Sequence, residues 1–318
     1  PLMYAAYARL PGVSSYPAGR LLLEAGADAN AHYWWGGTYR FAVLTGIFGD
    51  GEGGKNRLPE HPDMVAFARA ALEAGANPND SQGAYNRCFS PDNTHLELML
   101  AHGLTDSDPI DWPKGHASKG KRTMHWNLMI AIRWGFAERA RLLIEHGVDL
   151  NTRDESYATF TEGFTPYQSA LMRGMTEIAE LIKAKGGDDQ PLPEREQFYA
   201  ACMAGDIETA KGLQPDHMGE APATEAELLQ DAAGNGNVKA VQTMIELGFD
   251  MNPKGKRTPL HAAAWGGHIE VLRVLLAAGA DATLREADHF APPLGHALYR
   301  QRRAAVEVLM DAPMDIFC

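Results

Sequence analysis

Between Thr258 and Asp281 the chain reads TPLHAAAWGGHIEVLRVLLAAGAD. A polar capping residue and a proline come first, then a short run with Leu260, Ala263 and Ala264 on one face, then two glycines. Ile269, Leu272, Leu275 and Leu276 follow at helical spacing, and Gly279 and Asp281 close the segment. Thr258 can cap a helix, and Pro259 fits the first helical position, where the missing donor costs nothing. Gly267 can take the left-handed conformation that ends a helix. The pattern predicts a short inner helix, a turn, a longer amphipathic outer helix and a second turn.

The same pattern recurs along the chain. Its closing turn returns as AGADAN at Ala25–Asn30, AGANPND at Ala74–Asp80, HGVDLN at His146–Asn151, LGFDMN at Leu247–Asn252 and, more weakly, KGGDD at Lys185–Asp189. First-helix copies are PLMYAAYA at Pro1–Ala8, TPYQSALMRG at Thr165–Gly174, FYAACMAGD at Phe198–Asp206, LLQDAAGNGN at Leu228–Asn237 and PLGHALYRQ at Pro293–Gln301.

These segments resemble the ankyrin repeat, with its Thr-Pro-Leu-His opening and Gly-Ala-Asp turn on a period of about 33 residues. The resemblance covers almost the whole chain. It implies an all-α solenoid of about nine helix-pair repeats with short β-hairpin fingers. His261 keeps the motif histidine, whereas Met3, Tyr85, Gln168 and Tyr199 occupy that slot elsewhere. Repeats two to four carry insertions, chiefly Gly51–His61 and Asp106–Arg122. With FAVLTGIFGDGEGG and SQGAYNRCFSPDNTHLELMLAHG, they make the array look like a bacterial ankyrin type with long loops. GDDQPLP at Gly187–Pro193 interrupts the period, so two blocks are expected, residues 1–190 with five repeats and 191–318 with four. Leu2, Met3, Ala5 and Ala6 present an apolar face at the first repeat, and further helix is expected in front of Pro1.

Composition excludes several classes. Hydrophobic residues make up 45% and charged residues 22%, an ordinary globular balance. A formal net charge of -12 disfavours non-specific binding to nucleic acid or anionic membrane. No apolar run reaches the roughly 18 residues of a membrane span. Three cysteines, Cys88, Cys202 and Cys318, give no disulfide framework and suit a reducing compartment, here expected to be the cytoplasm. Cys88 and Cys202 fall in inner-helix alanine slots, where cysteine acts as a small buried hydrophobe.

Chemical motifs are sparse. GDGEGGKN at Gly49–Asn56 imitates a phosphate-binding loop, but Asn56 replaces the hydroxyl and Asp50 and Glu52 repel phosphate. The same two acids supply only a fragment of a calcium loop. None of the twelve histidines has zinc-site spacing. His261 and His268 fill motif positions, and His102 and His146 sit where a histidine suits a helix C-terminus. Lys114, His116, Lys119, Lys121 and Arg122 form a basic insertion, read as a solvated loop. No cofactor or metal is expected.

The resemblance also singles out the residues just before each first-helix glycine, which face the concave groove in ankyrin folds. Here they are Tyr7, Phe89, Arg133 with Trp134, Met172 with Arg173, Met203, Trp265, and Tyr299 with Arg300. Aromatics, Arg and Met are favoured at binding hot spots. Tyr33, Trp34 and Trp35 add aromatic bulk on a finger. The expected function is a monomeric scaffold that binds a protein partner through Tyr33, Trp34, Trp35, Tyr85, Arg133, Trp134, Arg173, Trp265, Tyr299 and Arg300. The rival is an enzyme or small-ligand binder, in which the inserted loops roof a pocket near Tyr39, Tyr85, Asn86, Arg87 and His95.

Overall fold

The computed structural model describes residues 1–49, 51, 58–106, 122–153, 163–214, 222–253 and 256–312, the side chains of 222 and 223 excepted. Most of the Gly49–Asn56 loop, the Lys114–Lys121 basic stretch and Cys318 lie outside the described residues.

The described residues form eighteen helices and one hairpin, grouped in two compact units. The first unit contains α1 (Leu2–Tyr7), α2 (Tyr16–Glu24), β1 (His32–Trp35), β2 (Tyr39–Ala42), α3 (Val43–Phe48), α4 (Met64–Glu73), α5 (Ser81–Arg87), α6 (Thr94–Ala101), α7 (Thr123–Trp134) and α8 (Ala137–Glu145). The second contains α9 (Pro166–Met172), α10 (Thr176–Ala184), α11 (Glu194–Ala204), α12 (Ile207–Leu213), α13 (Pro222–Gly234), α14 (Val238–Glu246), α15 (Pro259–Gly266), α16 (Ile269–Ala277), α17 (Pro293–Tyr299) and α18 (Arg303–Met310).

Within each unit the odd-numbered inner helices stack on one another in sequence. Small residues allow this close approach: Ala232 and Ala233 of α13 and Ala263 and Ala264 of α15 are fully buried. The outer helices bury one stripe each; Val271, Leu272 and Leu275 of α16 are fully buried in the core of the second unit. Both α9 and α15 start with the anticipated cap. Thr165 accepts from the Gln168 amide and Thr258 from the His261 amide, each followed by proline. Gly267 sits at φ 81°, and at Gly174 (φ 68°) a β-carbon would collide with the Met203 carbonyl.

In three outer helices of the second unit, α14, α16 and α18, the N-cap residue also ties neighbouring repeats together. Asn237 Nδ2 donates to the Met203 carbonyl at 2.9 Å, His268 Nε2 to the Gly234 carbonyl at 2.7 Å, and Arg302 Nε to the Trp265 carbonyl at 3.3 Å. Each acceptor is a carbonyl near the C-terminus of the preceding inner helix, where intrahelical donors run out. His268 is thus structural. His102 and His146 bond through Nδ1 to the Leu98 and Leu142 carbonyls at 2.8 Å, the expected helix-end role.

Arg139 of α8 is fully buried in the first unit. Its guanidinium donates to the carbonyls of Cys88, Ser90 and Asp92 and to Asn93 Oδ1. It holds the 88–93 connection in place by hydrogen bonds to carbonyls.

Candidate functional site

In the second unit α15 and α17 end side by side, so Trp265 and Tyr299, which occupy the same slot of successive repeats, meet. Their rings stack with centroids 5.7 Å apart and planes 18° from parallel. Two guanidinium groups lie over the indole, Arg257 at 5.2 Å and Arg300 at 4.8 Å from its centroid. The His296 ring meets the indole edge-on at 5.7 Å. Trp265 is half-buried, whereas Tyr299 is 69% exposed. The αL position that follows α15 is Gly267, but after α17 it is Gln301, at φ 55°. The finger of this repeat holds Phe290 at φ 54° and 72% exposed. These are the two non-glycine residues with positive φ among the described residues, and both belong to this repeat.

Beneath the finger, Glu286 is buried. Burial pushes its pKa up, but hydrogen bonds from the amides of Asp288, His289 and Ala291 outweigh this and hold it at about 2. His261 Nε2 donates to the Ala291 carbonyl at 3.0 Å, while Nδ1 accepts from the Thr258 amide. His261 is therefore neutral, and burial depresses its pKa to about 4.

The first unit carries two further aromatic groups. At the end of α7, Trp134 meets Phe89 edge-on at 6.5 Å and stacks on Phe136 at 6.4 Å; Arg133 beside it is exposed. On the hairpin, β1 and β2 pair antiparallel with Tyr33 opposite Phe41, Trp34 opposite Arg40 and Trp35 opposite Tyr39. Alternation along the strand puts Tyr33 and Trp35 on one face and Trp34 on the other. Tyr33 contacts Tyr7 and Phe41, Trp35 contacts Tyr39 and Phe41, and Trp34 contacts His32. Tyr33, Trp34 and Trp35 are all exposed.

The family model for three copies of the ankyrin repeat matches residues 198–286, and the single-repeat model matches residues 128–155. Residues 128–155 and 198–286 are ankyrin repeats. It is 25% identical over 211 residues to Rabankyrin-5 of Mus musculus, a match covering 63% of this chain and 18% of that protein. To the Caenorhabditis elegans ankyrin repeat and KH domain-containing protein mask-1 it is 28% identical over 155 residues, 46% of this chain and 6% of the relative. To the Arabidopsis thaliana E3 ubiquitin-protein ligase KEG it is 32% identical over 197 residues, 55% and 12%. The matches span less than a fifth of these relatives.

Against this ankyrin register, three groove slots read as surface need correction. Arg173 is buried and paired with Asp231 of α13, and Met172 and Met203 are core residues. Stacking of α11 and α13 covers these positions. Tyr85 packs with Phe89 against the buried Cys88 and Trp126 and is half-buried. Arg133, Trp134, Trp265, Tyr299 and Arg300 keep exposed or half-exposed side chains.

Arg87, Asn86 and His95 of the rival pocket are buried and engaged by neighbouring residues of the first unit. Arg87 is buried and pairs with Asp92 at 2.6 Å and Glu60 at 3.1 Å. Asn86 Oδ1 accepts from Gln82, and its backbone carbonyl accepts from the Gly51 amide at 2.9 Å. His95 is fully buried with its ring against Phe48. Burial, with Arg139 and Arg87 nearby, drives its pKa well down, so it is neutral. Tyr39 lies apart from them on the hairpin. Among the described residues no group of three or more His, Cys, Asp or Glu is placed to hold a metal ion, and no helix is long and apolar enough to cross a membrane.

Sequence reasoning missed Arg257 and His296 as neighbours of Trp265, and Phe290 as an exposed ring. Arg257 precedes the helix in a loop, where no periodicity marks it. Phe290 carries only a backbone signal, its positive φ.

Proposed function

We propose that this ankyrin array is a protein-interaction module whose partner lies across the ends of α15 and α17, with Trp265, Tyr299 and Arg300 as its anchors. Trp134 with Arg133, and Tyr33, Trp34 and Trp35 on the hairpin, supply further contacts. The observation that carries the reading is the Trp265–Tyr299 stack, which leaves Tyr299 mostly exposed. A rigid aromatic pair flanked by arginine provides large contact area at small entropic cost, which is what hot spots require. The array works as a monomer in the cytoplasm, without a cofactor.

The test is capture of partners from a native lysate by the wild-type chain and by Trp265→Ala and Tyr299→Ala. Each substitution is expected to cost roughly 2 kcal/mol of binding or more, about a thirtyfold loss of affinity. Capture equal to wild type by both variants, with their folds intact, overturns the reading.

A further inference from the structure

The unsatisfied groups around Trp265 go further than a general binding face and say what chemistry the partner brings; this rests on the reading just given. Arg257 and Arg300 both lie over this indole, yet among the described residues neither has an ion pair or a hydrogen-bond acceptor. Arg300 Nε is buried without a partner, and so is Nδ1 of His296, a residue only 7% exposed. Both residues touch the same indole ring.

The charged neighbours do not supply what is missing. Glu286 is engaged by three backbone amides and the imidazoles of His289 and His296. Burial lowers the Arg257 pKa, and Glu286 and the exposed Asp288 offset this only from a distance, outside ion-pair range. Arg302 brings a third positive charge through its bond to the Trp265 carbonyl. The three guanidinium groups gather here in a chain of net charge -12, and the nearby carboxylates Glu286 and Asp288 leave Arg257 and Arg300 without a direct ion pair.

Stacking over the indole fixes the two guanidinium groups in place, so little side-chain entropy is lost when they accept a ligand. Planar bidentate forks fit carboxylates. Their guanidinium carbons are separated by no more than the sum of their distances to the indole centroid, about 10 Å. Side chains two residues apart share one face of an extended peptide and stand roughly 6.6 Å from each other, within that bound, so a pair of acidic residues at this spacing fits. The exposed ring of Tyr299, stacked on the indole, lies ready for an apolar side chain of the same segment.

We infer that the partner segment is an acidic extended peptide, with one carboxylate on Arg257, a second on Arg300 and an apolar residue against Tyr299.

The experiment is selection of displayed random twelve-residue peptides on the full chain, followed by affinity measurement of the winners at two salt concentrations. Enrichment of Asp and Glu two positions apart supports the inference. So does binding that weakens with salt and falls at least tenfold in the Arg257→Gln, Arg300→Gln double variant, with unchanged melting. Winners that need Trp265 and Tyr299 but carry no acidic pair, or survive the double variant, overturn the inference and leave the groove reading standing. Winners indifferent to Trp265→Ala and Tyr299→Ala, or no winners at all, overturn both.

Discussion

Asn252 closes one repeat and holds the next: its Oδ1 accepts from the Asp281 amide at 2.9 Å, and its Nδ2 donates to the Gly279 carbonyl at 3.3 Å. Asn30 does the same in the first unit, accepting from Asn77 at 2.7 Å and donating to Gly75 at 2.8 Å. The terminal Asn of the turn is therefore a latch between successive fingers. Asn252→Ala is expected to cost about 1 kcal/mol, the net value of an exposed pair of such bonds. Urea unfolding measures it; an unchanged midpoint would remove the latch from the account of stability.

Arg139 is a stronger case because it is fully buried. Arg139→Met strips donors from three carbonyls and leaves them buried, which is expected to cost about 3–5 kcal/mol. Arg139→Lys should not restore stability, since one ammonium cannot span acceptors on Cys88, Ser90, Asp92 and Asn93. Calorimetric melting of both variants decides this, and wild-type behaviour of the Lys variant would refute it.

The site and the core separate by mutation. Leu275→Ala removes a fully buried side chain and should cost about 2–5 kcal/mol. Tyr299→Ala removes an exposed ring and should cost about 0.5 kcal/mol. Trp265, half-buried under two guanidinium groups, falls between them. If Tyr299→Ala melts as early as Leu275→Ala, the ring is core.

His261 makes stability depend on pH. Its folded pKa, about 4, lies below the unfolded value of about 6.5. The unfolded chain therefore binds more protons in that window. The contribution is fully present above pH 6.5 and is lost as pH falls to 4, on the order of 3 kcal/mol. Gln168 occupies the same slot in another repeat, accepting from the Thr165 amide and donating to the Pro191 carbonyl. His261→Gln should thus fold normally and flatten the curve between pH 6.5 and 4. A variant curve parallel to wild type would show that other groups carry the slope.

Cys88 and Cys202 are buried, and burial raises the Cys202 thiol to about 12. Under native conditions both should react with a thiol reagent only as fast as the fold opens. Immediate labelling would place them outside the core.

The repeat is legible in the amino-acid sequence alone. Thr258, Pro259, Gly267 and Gly279 act through their own backbone geometry, and Leu272 and Leu275 through their spacing, so each is legible one residue at a time. The sequence also marked Tyr33, Trp34, Trp35, Trp265 and Tyr299 as rings that reach the surface. Tertiary structure decided what no local rule specifies. Arg173 and Arg300 occupy equivalent slots, yet Asp231 on the neighbouring helix buries the first in an ion pair, while the second finds only an indole face. Asn252 and His268 look like ordinary turn and cap residues until the adjoining repeat brings up a carbonyl to each. The physical reason is that a side chain's partner in a stacked array comes from the next repeat, at a sequence separation that local propensity does not cover.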